Sequence, residues 1–379
     1  MHPHRPNAVG KPTFKPFLLL LLLPFWLTGC ALNKPAKETV YFPPAPNPPH
    51  LQYLTSISSA ADVKPALLPF LPNTAEPGET LSKPYGIAVR GSKIYVSDTP
   101  FAQLSAIDFE QKTYALFRQD AMQTPINIAL DQEGNIYVAD TGKKAVLQFT
   151  PEGDLQRTLA REITKPTDVA IYGDEIFVVD YSSSEVKVLD RKSGNLIRSI
   201  GREGKPDETL SLPTNLALDK NGFVYVTNLG HNRIIKMDRT GKVMKAFGET
   251  GDRPGQFARP KGIAVDDDGL IYVVDAGHQV VQIFNQDAQL LMFFGERGSK
   301  AGTLNLPADI AISRDNLEYF RRFADPAFEV EQLIFVTNQA GPRKISVYGF
   351  GHQKVSAQQN NTTPPLGNNA PLQAVAAGK

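Results

Sequence analysis

The sequence predicts an all-β fold, a six-bladed β-propeller with four antiparallel strands in each blade. Three observations predict it. A proline followed by a short apolar strand recurs six times between residues 81 and 350, at spacings of 41, 41, 47, 47 and 47 residues. A second apolar strand, ending in Asp or Asn, recurs in step with it. Leu51–Ile57 also reads as a strand, yet it lies ahead of the first repeat and has no repeat of its own. Units of about 40–50 residues that each hold four short strands are the arithmetic of a propeller.

The first strand is Pro84-Tyr85-Gly86-Ile87-Ala88-Val89 in the first unit, and its copies open at Pro125, Pro166, Pro213, Pro260 and Pro307. The alanine in its fifth position returns in every copy. That suits the innermost strand, where blades converge and space is scarce. The second strand, Ile94-Tyr95-Val96-Ser97-Asp98, returns at 136–140, 176–180, 224–228, 271–275 and 334–338. Third strands follow, at 146–149, 186–189, 234–237 and 281–284, and fourth strands at 243–247 and 290–294. These segments are rich in β-branched and aromatic residues, and turn pairs such as Glu133-Gly134, Asn221-Gly222 and Asp268-Gly269 separate the first from the second.

The sixth unit has strands at 310–312, 334–336 and 345–348 but no fourth. Leu51–Ile57 is therefore expected to supply the outermost strand of the sixth blade. The ring would then close with no blade left short of its outer strand.

The ends of the chain read differently. Arg5, Lys11 and Lys15 precede an apolar run from Phe17 to Leu27, too short to span a bilayer, for which about 20 residues are needed. The run ends in Leu27-Thr28-Gly29-Cys30, which resembles the lipobox of bacterial lipoproteins. That resemblance implies cleavage before Cys30 and acylation of the cysteine; several acyl chains anchor where one would be marginal. Residue 31 is Ala, not Asp, which by the same resemblance implies export to the outer membrane. The expected organisation is a signal peptide over 1–29, a lipidated, proline-rich tether over 30–49, the propeller over 50–352 and a disordered tail over 353–379 that holds almost no charge.

Composition narrows the function. Lys and Arg number 40 against 39 Asp and Glu, and beyond the first sixteen residues the balance is 37 to 39. A polyanion-binding domain carries a basic excess, so nucleic acid is not an expected partner. Cys30 is the one cysteine, which excludes a disulfide framework, a CxxCH haem attachment and a multi-cysteine zinc site.

Three sets of residues carry candidate chemistry. Two positions after each strand-opening proline stand Gly86, Asn127, Asp168, Asn215, Gly262 and Asp309. They are expected near the channel mouth, where Asn127, Asp168, Asn215 and Asp309 either hold water, a divalent cation or a polar ligand, or cap strand ends. His231 and His278 occupy equivalent places after Asn228 and Asp275; they are weak metal candidates without a third ligand, and the turn alone accounts for them. An insertion in the sixth unit, 313–328, groups Tyr319, Phe320, Arg321, Arg322 and Phe323, residue types that anchor interfaces. The alternative is a long loop that folds its aromatics onto its own blade. The glycine-rich linkers at 201–204, 248–255 and 295–302 read as turns, because no helix follows to make a phosphate loop.

The proline, the Gly-Ile-Ala-Val strand and the Tyr-Val-x-Asp strand resemble the NHL repeat family over residues 81–350, which implies a six-bladed propeller of NHL/TolB-like architecture. Lipoproteins with a proline-rich spacer before six NHL units occur in bacteria rich in multihaem cytochromes. By that resemblance this chain is associated with an electron-transfer or secretion assembly. Amidating lyases of similar fold place zinc-binding histidines directly after the strand-opening proline. Here those positions are Tyr85, Ile126, Thr167, Thr214, Lys261 and Ala308, with no histidine. Gluconolactonase-like propellers use a Glu/Asn/Asp metal set, and no glutamate stands at the mouth positions here.

The expectation is a lipid-anchored, non-enzymatic propeller that binds other envelope proteins, itself a monomer within a larger assembly, on the outer membrane facing the periplasm or the cell surface. It needs no cofactor, although a divalent cation at the channel is compatible with the residues. The alternatives are a metal-dependent lyase or lactonase at the channel mouth, and binding of a small polar ligand or glycan.

Overall fold

A computed structural model describes residues 39–65, 73–76, 78–118, 120–159 and 162–354. Cys30, the export segment and the tail from residue 355 lie outside the described residues. Among the described residues no helix is long and apolar enough to cross a membrane.

The strands form six antiparallel sheets in a ring. Blade one runs Pro84–Arg90, Lys93–Asp98, Gln103–Asp108, Thr113–Arg118, and blades two to five repeat this simple up-and-down order. Their inner strands start at Pro125, Pro166, Pro213 and Pro260, and Pro307–Ser313 is the inner strand of blade six. Each inner strand packs on the next, and the last packs on the first. Alternation along the inner strand sends Ile87, Ile128, Val169, Leu216, Ile263 and Ile310 into the packed layers between blades. The neighbouring alanines, Ala88, Ala129, Ala170, Ala217 and Ala264, are partly buried and pack on the other face of the strand against the adjoining inter-blade layer.

Blade six closes as the sequence predicts. Leu51–Ile57 pairs antiparallel with Ile345–Gln353, outside Phe328–Asn338. The third strand thus runs to Gln353, one residue past the expected end of the domain. The proline-rich stretch also takes part in the seam: Tyr41–Phe42 adds a short fifth strand beside Leu51 and Gln52. The Phe42 ring lies 6.1 Å from both Phe294 and Tyr348, and Tyr41 lies 5.7 Å from Phe328. The part of the tether from residue 39 onward is therefore docked on blades five and six.

The landmark residues of the repeat have structural duties. The carboxylate that ends each second strand is buried and accepts the two backbone N–H groups just before the strand-opening proline. Asp98 takes Ser82 and Lys83, Asp140 takes Gln123 and Thr124, Asp180 takes Thr164 and Lys165, and Asp275 takes Ala258 and Arg259, all at 2.6–3.0 Å. Where Asn stands instead, one amide oxygen accepts one N–H: Ser211 for Asn228 and Asn305 for Asn338. In those two blades the next residue, Leu212 or Leu306, swings to a positive φ of 48° or 49°.

The tyrosine of the second strand has a partner as well. The hydroxyls of Tyr137, Tyr225 and Tyr272 donate to Asp131, Asp219 and Asp266, which also cap the turn between strands one and two. On the outer strands, basic side chains reach forward to the next blade. Arg157 donates to the carbonyls of Arg191 and Lys192, Arg198 to that of Arg239, and Lys245 to that of Asp287.

The insertion holds a short helix, α1 (Leu317–Arg321), which the sequence pattern does not reveal. Phe320 is fully buried, with ring contacts to Phe109 at 4.8 Å and Phe335 at 5.5 Å. This corrects the expectation for Phe320: it belongs to the core between blades six and one and is not available to a partner. Tyr319 and Phe323 are partly buried beside it, whereas Arg321 and Arg322 are exposed.

Candidate functional site

The inner strands bring the predicted mouth residues together in one ring, and all of them are buried. Asn127, Asp168 and Asp309 are 3–4 % exposed and Asn215 is 0 % exposed. Two glycines complete the ring because there is no room for a side chain. A Cβ on Gly86 would meet the Asn127 Cα at 2.6 Å, and one on Gly262 the Asp309 Cα at 2.5 Å.

The two carboxylates staple neighbouring blades. Asp168 Oδ2 accepts the backbone N–H of Leu216 in blade four at 2.8 Å, and its Oδ1 accepts the N–H of Val169 at 2.7 Å. Asp309 Oδ2 accepts the N–H of Ile87 in blade one at 3.0 Å. Hydroxyls assist. Thr337 accepts the Asp309 N–H and donates to the Tyr85 carbonyl, and Ser97 does the same between Gly86 and Ile126.

Burial dominates the electrostatics here. It pushes the Asp309 carboxyl up to about 7, against the N–H groups of Ile87 and Ile310 and the amide of Asn127, which favour the anion. Burial, and then the charge of Asp309, hold Asp168 well above the ordinary carboxylate range. Asn215 lies beside Asp168, yet among the described residues neither atom of its amide completes a hydrogen bond of good geometry. The Thr167 hydroxyl is likewise without a partner.

Next to this ring stand three residues whose importance sequence reasoning missed. Lys261 follows Pro260, is 8 % exposed, and lies with its Nζ 4.8 Å from the centre of the Tyr85 ring. Burial and then Arg259 push its ammonium down to about 8, against the attraction of Asp309. The Tyr85 hydroxyl is pushed up by burial and by Asp309 and Asp168. The available signal was a lone charge at a position held by Tyr, Ile, Thr, Thr and Ala in the other blades.

This donor set does not suit a divalent cation. Both Asp168 oxygens and one of Asp309 are committed to backbone N–H groups, and a metal ion would face Lys261 and Arg259. Among the described residues no group of three or more His, Cys, Asp or Glu is arranged to hold a metal. The two histidines each serve their own turn. His278 Nδ1 lies 2.7 Å from Asp275 and its Nε2 3.1 Å from Asp252, while His231 contacts Asn228 at 3.3 Å. The Asp252 bond and the Asp275 charge raise the His278 pKa against its burial.

The insertion presents Arg322 stacked on Tyr319 at 3.9 Å and on Phe323 at 4.7 Å, and Arg321 lies 3.4 Å from Glu329. These contacts hold a cationic pair on the surface over the buried Phe320.

Comparison with known proteins agrees with this architecture. The family described as SMP-30/Gluconolactonase/LRE-like region matches residues 80–180, and the NHL repeat matches residues 257–284. A gluconolactonase from Xanthomonas campestris superposes with a TM-score of 0.54 at 15% identity, covering 83% of this chain and 98% of its own. A protein of unknown function from Bacteroides thetaiotaomicron gives 0.57 at 15% identity, covering 78% and 75%. Virginiamycin B lyase from Staphylococcus aureus gives 0.50 at 13% identity, covering 71% and 95%. At these identities the likeness is one of fold. The chain is a six-bladed β-propeller with one stretch that matches the NHL repeat and another that matches the SMP-30/gluconolactonase-like region.

Proposed function

We propose that this propeller is a membrane-anchored lipoprotein that acts as a protein-binding scaffold in the cell envelope, within an electron-transfer or secretion assembly. One observation carries the reading. The carboxylates best placed for chemistry, Asp168 and Asp309, are spent as staples between blades, each accepting a backbone N–H from the next blade. A rigid ring of this kind offers surfaces and loops and not a metal-activated water. The Leu27–Cys30 lipobox supports the anchor, and the exposed Arg321–Arg322 pair supports a binding surface.

The test is crosslinking of the full chain in cells, with identification of captured neighbours. The wild type is expected in the membrane fraction with a defined set of envelope proteins, and Cys30→Ser is expected to release it and reduce capture. Wild-type protein found free of membrane, or capture without any reproducible neighbour, would sink the reading. The pair Arg321→Ala, Arg322→Ala probes the insertion without disturbing the Phe320 core.

A second reading, a metal-dependent lyase or lactonase, has one observation behind it: the gluconolactonase-like match over residues 80–180. Lactone hydrolysis assayed with added calcium or zinc separates the two. Turnover that depends on metal and on Asp168 would favour the enzyme.

A further inference from the structure

We propose that the channel mouth beside Lys261 binds a carboxylate group, with Lys261 and Arg259 as its cationic wall and Asn215 as a hydrogen-bonding contact. The proposal deepens the scaffold reading where the carboxylate is the chain terminus of a protein partner. It stands independently of that reading where the carboxylate belongs to a small organic acid.

Burying an ammonium costs several kcal/mol unless an anion or hydrogen-bond acceptors compensate it. Lys261 is 8 % exposed, and among the described residues its Nζ has neither an ion pair nor a hydrogen bond; its near neighbour is the face of Tyr85. The carboxyl that attracts it, Asp309, already accepts the Ile87 N–H. Its other charged neighbour, Arg259, is also cationic and pairs with no carboxylate among the described residues. Two like charges, one of them buried, whose attracting carboxyl Asp309 makes no ion pair with either among the described residues, form half of a salt bridge.

A second observation points the same way. Buried polar atoms are nearly always hydrogen-bonded, so exceptions call for an explanation. Among the described residues Asn215, 0 % exposed and beside Asp168, completes no hydrogen bond of good geometry through its amide, and the Thr167 hydroxyl has no partner. An acceptor group seated beside Lys261 meets its ammonium, with the Arg259 guanidinium as the second cation.

Asp168 and Asp309 decide the charge of the ligand. Their proximity disfavours a dianion, so a singly charged carboxylate fits better than a phosphate. They also give binding a pH dependence, together with Lys261, Tyr85 and Arg259, the other titratable groups facing the mouth. As pH rises through about 7 to about 8, Asp309 ionises and Lys261 loses its proton, and both changes weaken binding of an anion.

The experiment is calorimetric titration of the full-length protein in detergent at pH 6.5. The probes are acetate, lactate, acetamide, and hexapeptides of randomised sequence with free or amidated C-termini. The expected result is binding of a free-carboxylate probe, none of acetamide, at least tenfold weaker binding by Lys261→Met, and near-normal binding by Lys261→Arg. Lys242→Met serves as a remote control, and Arg259→Gln is the second variant should Lys261→Met fail to fold. Binding by acetate or lactate identifies a small organic acid; binding only by peptides with a free terminus identifies a protein partner. No binding by any free-carboxylate probe, or undiminished binding by folded Lys261→Met, overturns the proposal. A bound organic acid alongside failed crosslinking would overturn the scaffold reading alone.

Discussion

The Asp309 carboxylate accepts the backbone N–H of Ile87 across 222 residues of sequence, at 3.0 Å. This bond joins the last blade to the first at the inner ring, while Leu51–Ile57 joins the N-terminal segment to blade six at the rim. The ring is therefore sealed at both radii.

The inner seal predicts a pH dependence. Asp309 titrates near 7 in the folded protein, above its unfolded value of about 4. Between these values the folded state holds the proton that the unfolded state has lost. Stability should then fall as pH rises from about 4 to about 7 and level off above. Asp309→Asn keeps an acceptor for Ile87 and removes the titration. Chemical denaturation at pH 4.5 and 7.5 should show a smaller difference for this variant than for the wild type; an unchanged difference would remove Asp309 as its source.

The outer seal predicts a packing penalty. Leu54 is fully buried in the closing strand, and Leu54→Ala should cost about 2–5 kcal/mol. The loss should show as a lower denaturation midpoint. A cost below about 0.5 kcal/mol would mean that the rim strand does little to hold the ring.

The strand-end carboxylates can be compared with their amide replacements. Asp275→Asn leaves one acceptor where two N–H groups, from Ala258 and Arg259, were held. The expected cost is about 1–3 kcal/mol, the range for one buried backbone group left unsatisfied. The residue before Pro260 should also turn toward positive φ, as Leu212 and Leu306 do before Pro213 and Pro307. A crystal structure of the variant checks this directly; an unchanged Arg259 φ contradicts the account.

The insertion separates fold from surface. Phe320→Ala should cost about 3–5 kcal/mol through the cavity it leaves, whereas Arg322→Ala should change stability by less than about 0.5 kcal/mol. Thermal unfolding of the two variants settles which face of α1 supports the fold. Comparable losses would mean that the Arg322 stack on Tyr319 is structural.

His278 bridges Asp275 and Asp252, and its raised pKa makes it a source of stability at low pH. That contribution is complete below the unfolded value of about 6.5 and disappears as pH rises through the higher folded value. His278→Gln should therefore destabilise more at pH 5.5 than at pH 8.5. An equal loss at both values would assign the residue to packing.

Most of the architecture was legible because a propeller repeats its chemistry. The prolines, the alanines and the Asp or Asn at each second-strand end recur at fixed positions, and each reports a local backbone need. The missing fourth strand of the sixth unit showed that Leu51–Ile57 had to return to it. The candidate site was legible only as positions. Asn127, Asp168, Asn215 and Asp309 could be placed on one ring by their distance from each proline, but nothing local distinguishes a carboxylate that staples blades from one that binds a ligand.

What the sequence determined by itself is what depends on neighbours along the chain: strand order, blade count and the closing strand. What only the tertiary structure decided depends on groups far apart in sequence. Asp168 is bound by Leu216, Asp309 by Ile87, Phe320 is buried against Phe109, and Lys261 is left against Tyr85 with no ion pair among the described residues. The physical reason is that burial and pairing are properties of the closed ring, where six distant segments meet, and no window of sequence contains more than one of them.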